Sequence, residues 1–395
     1  MKTLLSLALV LIFAGAYAQK EVQKKFQTMF IDVDDGGVID LPEGKFVFES
    51  SLSMDGKSDV VIKGAGKDKT ILSFKGQITG AEGLKITNGS NVTIRDLTIE
   101  DAKGDGIKTQ LVDGIVFRNI FVTWTGGADK TNGGYGLYPV QCSNVLIEQC
   151  EVSGASDAGI YVGQSRFIIV RNSKAFQNVA GIEIENSLYA DVYDNEAYNN
   201  TGGILIFDLP DLQVKEGGHV RVFRNNIHDN NHLNFAPAGN IVGKVPQGTG
   251  LMILATRNVE VFENKIINNI TAGTAIVSYY MTETPIKDES YNPFPSSIFI
   301  HDNHYERQRV KATSKGRLGK MYKFKLRFGK DVPHILYDGI EDEKMKDRRI
   351  CLKNNTNASF VNIDAGNNFK KKSRDATPFE CDGDKLEPVK LTTQL

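Results

Sequence analysis

One phrase governs what this chain can become. The nine residues NVTIRDLTI at 91–99 return in altered form as GIVFRNIFV at 114–122, NVLIEQCEV at 144–152, FIIVRNSKA at 167–175 and ADVYDNEAY at 190–198. Three later copies are VRVFRNNIH at 220–228, VEVFENKII at 259–267 and IFIHDNHYE at 298–306. Aligned, they put Asp96, Asn119, Gln149, Asn172, Asn195, Asn225, Asn264 and Asn303 in one column, with intervals of 23 residues setting the period and intervals of 30 and 39 carrying insertions. A second column follows: Gly106-Ile107, Gly136-Leu137, Gly159-Ile160, Gly181-Ile182, Gly203-Ile204 and Gly250-Leu251. A fixed period implies repeated units stacked on one another, none of them stable alone.

Within each unit, apolar and polar residues alternate over short runs bounded by Asn and Gly, the pattern of strands and not of helices. Two or three short strands in about 23 residues suit one coil of a parallel β-helix. An Asn or Asp repeated at the same turn can pass side-chain hydrogen bonds from coil to coil, so that buried turn backbone is not left unpaired. The expected fold class is therefore all-β: a solenoid with loop insertions and a C-terminal capping region. The 38 glycines fit many short strands and turns, and the formal charge of −1 selects neither nucleic acid nor a membrane surface as partner.

These two columns, together with the stretch GGVIDLPEGKFVFESSLSMDGKSDVVIKGAGKDKTIL at 36–72, resemble the exported right-handed parallel β-helix proteins of the pectin-lyase-like superfamily, over roughly residues 27–306. The resemblance is nearest to bacterial tandem-repeat members whose activity is not established. It implies a right-handed coil and, for the superfamily at large, lyases, epimerases and hydrolases of acidic polysaccharides beside binding and adhesive proteins. Fold does not choose among these. The Asp-Pro-His-Asp, Asn-Thr-Asp, Gly-His-Gly and Trp-Ile-Asp-His patterns of catalytic members are all missing from the sequence. No catalytic residue is carried over by resemblance.

The chain opens MKTLLSLALVLIFAGAYA, a lysine before an apolar run that closes on Ala16-Tyr17-Ala18. This is a signal-peptide pattern, with an expected mature start at Gln19 and no later segment resembling a membrane span. Export to the periplasm or the exterior follows. Residues 19–82 are expected to form a cap and first coils, 83–306 the regular solenoid, and 307–395 the C-terminal cap. In an oxidising compartment Cys351 and Cys381 are candidates for a bridge. Cys142 and Cys150, eight residues apart in a strand-like stretch, lie beyond disulfide reach and read as buried thiols.

The candidate site comes from the residue after each Gly-Ile pair. If the Ile or Leu points inward, its successor points outward. Coil by coil these are Lys108, Tyr138, Tyr161, Glu183, Leu205, Met252 and Val277; two places on stand Gln110, Val140, Gly163, Glu185, Phe207, Leu254 and Tyr279. The first four coils are polar or aromatic and the last three apolar. An exposed apolar stripe of that size needs a cover, and the insertions at 208–218, 231–248 and 281–296 lie in the right coils to supply one.

Beside that cover the sequence puts Tyr161, Glu183, Glu185 and Asp208. Coils spaced about 4.8 Å apart set Tyr138, Tyr161 and Glu183 in a row close to the pitch of a sugar ring. Glu183 and Glu185, about 7 Å apart along one strand, suit the acid and base of an inverting glycoside hydrolase. A lyase or epimerase needs instead a base for the proton beside a uronate carboxyl and a group that neutralises that carboxyl. Tyr138, Tyr161, Lys108 and His232 are the candidates for that proton chemistry, and Glu183, Glu185, Asp157 and Asp208 the oxygen donors for a Ca²⁺ ion. Outward Glu and Tyr are also the ordinary furniture of a solvated strand face, and His232 reads equally as a hydrogen-bonded loop residue. The basic run from Lys311 to Lys330 reads as a solvated strand or loop with some attraction for an acidic glycan. Two functions stay open: an enzyme acting on an acidic polysaccharide, and a non-catalytic envelope scaffold that binds a glycan or a protein.

Overall fold

The computed structural model describes residues 19–313, 320–342 and 349–392, so the leader at 1–18 and the centre of the basic run, 314–319, lie outside the described residues. Residues 19–32 form a helix that sets Phe26 and Phe30 on the open end of the first coil, where Phe26 packs 5.2 Å from Phe48 and Phe48 stacks at 5.3 Å on Phe74. This covers a row of backbone groups that would otherwise form an unpaired sheet edge.

From there the chain winds through parallel strands. One ladder has eleven, running from Ser50–Asp55 through Ala158–Gly163, Ala180–Glu185 and Gly202–Phe207 to Phe360–Asn362. The rest fall into two further ladders, joined into one nineteen-stranded sheet because Ser90–Glu100 and Asp113–Thr123 each run unbroken through both. A coil thus has three walls. The strands Ile335–Tyr337, Ile350–Lys353 and Phe360–Asn362 extend the same ladders past residue 306. Inside, Ile107, Leu137, Ile160, Ile182, Ile204 and Leu251 stack in register, all of them buried. Their neighbouring glycines are required by contact: a Cβ on Gly181 would stand 2.5 Å from the Gly203 carbonyl oxygen and 2.8 Å from Asn200 Nδ2.

Asparagines, all buried but the half-buried Asn355 at the far end, run beside this core in two ladders. Asn195, Asn225, Asn264, Asn303 and Asn355 each pass an Nδ2–H to the Oδ1 of the next at 2.9–3.0 Å. The second ladder, Asn178, Asn200, Asn230 and Asn269, does the same at 3.0–3.1 Å. Each Oδ1 also accepts a backbone N–H from the preceding coil, as Asn225 Oδ1 does from Asn195 at 3.0 Å and Asn195 Oδ1 from Ser173 at 3.0 Å.

Here the alignment of the sequence needs a correction. Asp96, Asn119, Gln149 and Asn172 belong to a corner of positive φ that continues as Asp194, Arg224, Glu263 and Asp302, whereas Asn195 follows Ser173 in the inner ladder. The coil from Arg171 to Tyr193 has 22 residues, one fewer than the assumed period, so the two columns cross.

Outside the core, rings stack once per coil, as in Tyr193–Phe223–Phe262–His301 with interplanar angles of 12°, 4° and 4°. His228 continues a second stack on Tyr198. At the far end a Cys351–Cys381 bridge ties the tail to the last coils, while Cys142 and Cys150 are free and buried.

Candidate functional site

The predicted outward column forms on the eleven-stranded wall. Strand pairing sets Lys85 beside Lys108, Lys108 beside Tyr138, Tyr161 beside Glu183 and Glu183 beside Leu205. The last coil is displaced from expectation. Met252 pairs with Ala275, and Val277 stands beside Leu254, so Val277 and Tyr279 do not follow Met252 and Leu254 in their columns. The cause is Thr274, which takes the inward place expected of an isoleucine and hydrogen-bonds the buried Tyr305 hydroxyl at 2.8 Å.

The apolar end is covered as expected. Leu205, Phe207, Met252 and Leu254 pack with Val242 and Val245 of the 231–248 insertion, with Tyr279 and Tyr291, and with Tyr322, Leu326 and Phe328. The cover goes further than the sequence implied. Residues 231–248 reach back across the acidic coils, where Asn240 Nδ2 donates to Asp157 Oδ2 at 2.7 Å and Val245 lies over Gly202. Tyr161, Glu183, Glu185 and Asp157 are consequently 4%, 1%, 8% and 7% exposed, which corrects the expectation that they stand on the outward face within reach of a sugar.

Beneath this cover the four groups are arranged tightly. Tyr161 bends back over Gly163 and donates its hydroxyl to Glu185 Oε1 at 2.6 Å. A Cβ on Gly163 would fall 2.3 Å from Tyr161 Cε1 and 2.4 Å from its Oη, so the bend requires glycine there. The rings of Tyr135, Tyr138 and Tyr161 pack with centroids 4.3–5.0 Å apart. Glu183 Oε2 is buried with no hydrogen-bond partner.

With little water to solvate charge, burial pushes the Glu185 and Asp157 carboxyls up to about 7, while the bonds from Tyr161 and Asn240 oppose the shift. Glu183 is pushed well above the carboxylate range by burial, then by Glu185 and Asp157. Near neutrality Glu183 is therefore held protonated, while Glu185 and Asp157 stand close to the midpoint of their titrations. Asp208 stands beside it, also raised by burial to about 7, and accepts the Gly217 N–H at 2.9 Å.

The accessible part of the row lies one step toward the N-terminus. Lys108 and Tyr138 are half-buried, with Lys108 Nζ 4.9 Å from the Tyr138 ring centroid. Asp105 joins them: its Oδ1 accepts the Tyr135 N–H at 3.3 Å, and burial raises its carboxyl to about 6 against the pull of Lys108. Burial also pushes the Tyr138 phenol up to about 12, so it stays protonated and serves as a donor. Sequence reasoning did not select Asp105 or Tyr135. The signal for Asp105 was its place in KGDGIK, immediately before the Gly106-Ile107 pair and three residues from Lys108.

His232 stays apart. Its Nδ1 meets the Leu233 carbonyl at 2.9 Å and its ring lies 5.4 Å from Phe235. Among the described residues no group of three or more His, Cys, Asp or Glu is placed to hold a metal ion, so the oxygen-donor set proposed for Ca²⁺ is not assembled. No helix among them is long and apolar enough to cross a membrane.

Comparison with known proteins agrees with this architecture. The family model described as the right-handed β-helix region matches residues 127–290. The A-module of mannuronan C-5 epimerase AlgE4 from Azotobacter vinelandii is similar at a TM-score of 0.55 and 15% identity, over 84% of this chain and 94% of that one. DFA-IIIase from Arthrobacter chlorophenolicus A6, in complex with DFA-III, gives 0.45 at 13% identity, over 81% and 87%. Pectate lyase Pel9A gives 0.44 at 11% identity, over 84% and 70%. No curated protein matches the sequence. At such identities the likeness is one of fold: the chain is a right-handed parallel β-helix.

Proposed function

We propose that this chain is an exported protein that binds an acidic polysaccharide along the eleven-stranded wall and acts on it where Lys108, Asp105 and Tyr138 meet. The observation that carries the reading is the half-buried row Lys85, Lys108, Tyr138, one residue per coil, with Asp105 beside it. Uronate carboxylates would meet the two ammonium groups, and the Tyr138 ring offers a face for a sugar. Asp105, raised to about 6, is matched to take a proton near neutral pH, and the protonated Tyr138 phenol to give one. That division of labour suits proton abstraction beside a uronate carboxyl, the chemistry of lyases and epimerases. The solved structure with a TM-score of 0.55 is named as a mannuronan C-5 epimerase, which agrees in substrate class.

Inverting hydrolysis by Glu183 and Glu185 is less well supported, since both side chains are buried beneath the cover. A non-catalytic glycan- or protein-binding role in the envelope has its own support in that covering, which takes most of the acids out of reach. The two readings separate in one experiment. Purified protein and its Asp105→Asn and Lys108→Ala variants are incubated with a panel of uronate polysaccharides, with and without Ca²⁺. Product is assayed as unsaturated ends, epimerised residues or new reducing ends, and binding by affinity electrophoresis. The proposal expects product from the parent, binding without product from Asp105→Asn, and weak binding from Lys108→Ala. Binding without product under every condition leaves the scaffold role, and no binding at all ends the enzyme reading and the glycan-binding form of the scaffold, leaving only a protein partner.

A further inference from the structure

On the second wall, away from the site above, the chain's own tail, residues 382–392, lies along the outer face of the solenoid. The column beneath it reads Leu146, Ile169, Asp191, Arg221, Glu260 and Phe299, one residue per coil. Its centre is an ion lattice. Arg221 Nη1 lies 3.2 Å from Asp191 Oδ2, and Glu260 Oε1 lies 3.0 Å from His301 Nε2. Asp191 and Glu260 are each 4% exposed, and Asp191 Oδ1 is buried with no hydrogen-bond partner.

The tail leaves the Cys351–Cys381 bridge, passes Gly383 against the Phe299 ring, and runs back toward the first coils. Leu386 N–H donates to Glu260 Oε2 at 2.9 Å, Val389 N–H to Asp191 Oδ2 at 3.2 Å, and Thr392 N–H to Asn144 Oδ1 at 2.8 Å. The Thr392 hydroxyl adds a bond to the same Asn144 oxygen at 2.9 Å.

The spacing is regular. Glu260 and Asp191 are two coils apart, as are Asp191 and the coil of Asn144, so three tail residues span two coils each time. An extended chain advances about 10 Å in three residues, and two coils rise about 9.6 Å. The groove is thus commensurate with an extended peptide, and reads it through backbone N–H groups at every third position. Pro388, which has no N–H, falls between two of those positions. Three of these four hydrogen bonds are independent of the tail's side chains, and none depends on covalent continuity with the solenoid.

We propose that this column is a docking groove for an extended peptide, filled here in cis by the chain's own tail, and that it accepts the tail of a second copy when the cis tail is out of the way. The bridge at Cys381 holds the cis tail at high effective concentration, so the resident tail outcompetes a free one. Recognition by carboxylates and an amide oxygen aimed at successive backbone donors makes it a reader of extended backbone.

The test uses a chain ending at Cys381, which keeps the bridge, and a labelled synthetic peptide of residues 382–395. Saturable binding to the shortened protein is expected, with binding to the full chain at least tenfold weaker. A peptide carrying Leu386→Pro and Val389→Pro, which lacks two of the donors, should bind the shortened protein at least tenfold more weakly than the parent peptide. If shortening impairs folding, the same two prolines placed in the full chain serve instead: amide exchange across 382–392 should accelerate at least tenfold, and that variant should take up the parent peptide in trans. Absence of peptide binding to a folded acceptor, equal binding of the proline peptide, or its displacement by a uronate oligosaccharide would each overturn the proposal.

Discussion

Replacing Glu185 with Gln tests the buried acidic cluster directly. The carboxyl rises from 4.5 to about 7 on folding, because burial penalises its charged form. A folded pKa above the unfolded one means that the native state holds the proton longer, so the stability associated with this group is greatest below pH 4.5 and is lost as pH rises toward 7. Integrating that linkage gives about 1 kcal/mol lost by pH 5 and about 3 kcal/mol by pH 9, a difference of about 2 kcal/mol. Glu185→Gln keeps an oxygen for the Tyr161 hydroxyl and removes the titration. Urea unfolding of parent and variant at pH 5, 7 and 9 should therefore give two curves that lie close at pH 5 and diverge above it, with the variant the more stable by about 2 kcal/mol at pH 9. A constant gap across the range would refute the reasoning. It would mean that residues 231–248 do not keep water from Glu185 and that the latch from Asn240 to Asp157 does not hold in solution.

Three other substitutions probe the parts that set up this cluster and the solenoid around it. Gly163→Ala places a methyl group 2.3 Å from Tyr161 Cε1, and should cost about 1–3 kcal/mol by denaturation while shifting the near-ultraviolet signal of the tyrosines. Asn225→Ala removes the second asparagine of the inner ladder, leaving the Asn195 N–H without its acceptor and the Asn195 side-chain amide with only the Val170 carbonyl; about 2–4 kcal/mol should be lost, read as a lower urea midpoint. Cys381→Ser opens a bridge between cysteines 30 positions apart, and oxidised parent should exceed the variant by about 3–4 kcal/mol, with parent and variant alike under reductant.

Much of the fold was legible because stacking writes itself into the sequence. The Gly-Ile pairs are spaced as they are because a Cβ at Gly159 or Gly181 would strike the carbonyl of the next coil, and that constraint recurs unchanged from Gly106 to Gly250. Where the rule relaxes, the reading slips. Thr274 satisfies its inward hydroxyl through Tyr305 and so hides the pair that would have placed Ala275. The coil between Arg171 and Tyr193 is one residue short, and with Asn on both sides of the corner nothing in the letters says which asparagine points inward.

The site was legible as a row and illegible as a surface. Strand period puts Tyr161, Glu183 and Glu185 on the outer side of their wall, and that much follows from alternation alone. Whether an outer side is wet depends on where an insertion goes after it leaves the coil, and local periodicity carries no information about that direction. The 231–248 insertion was expected to cover the apolar coils, since apolar area demands it; that it also crosses three acids is paradoxical only if all three are taken as charged. Burial favours the neutral, hydrogen-bonding form of each carboxyl, and Tyr161, Asn240 and Gly163 are the residues that make that burial tolerable. One oxygen escapes that provision. Glu183 Oε2 has no partner, and a buried polar atom left so costs about 1–3 kcal/mol. The cover over it is accordingly held at a cost that lifting the 231–248 segment, or a ligand able to bond that oxygen, would relieve.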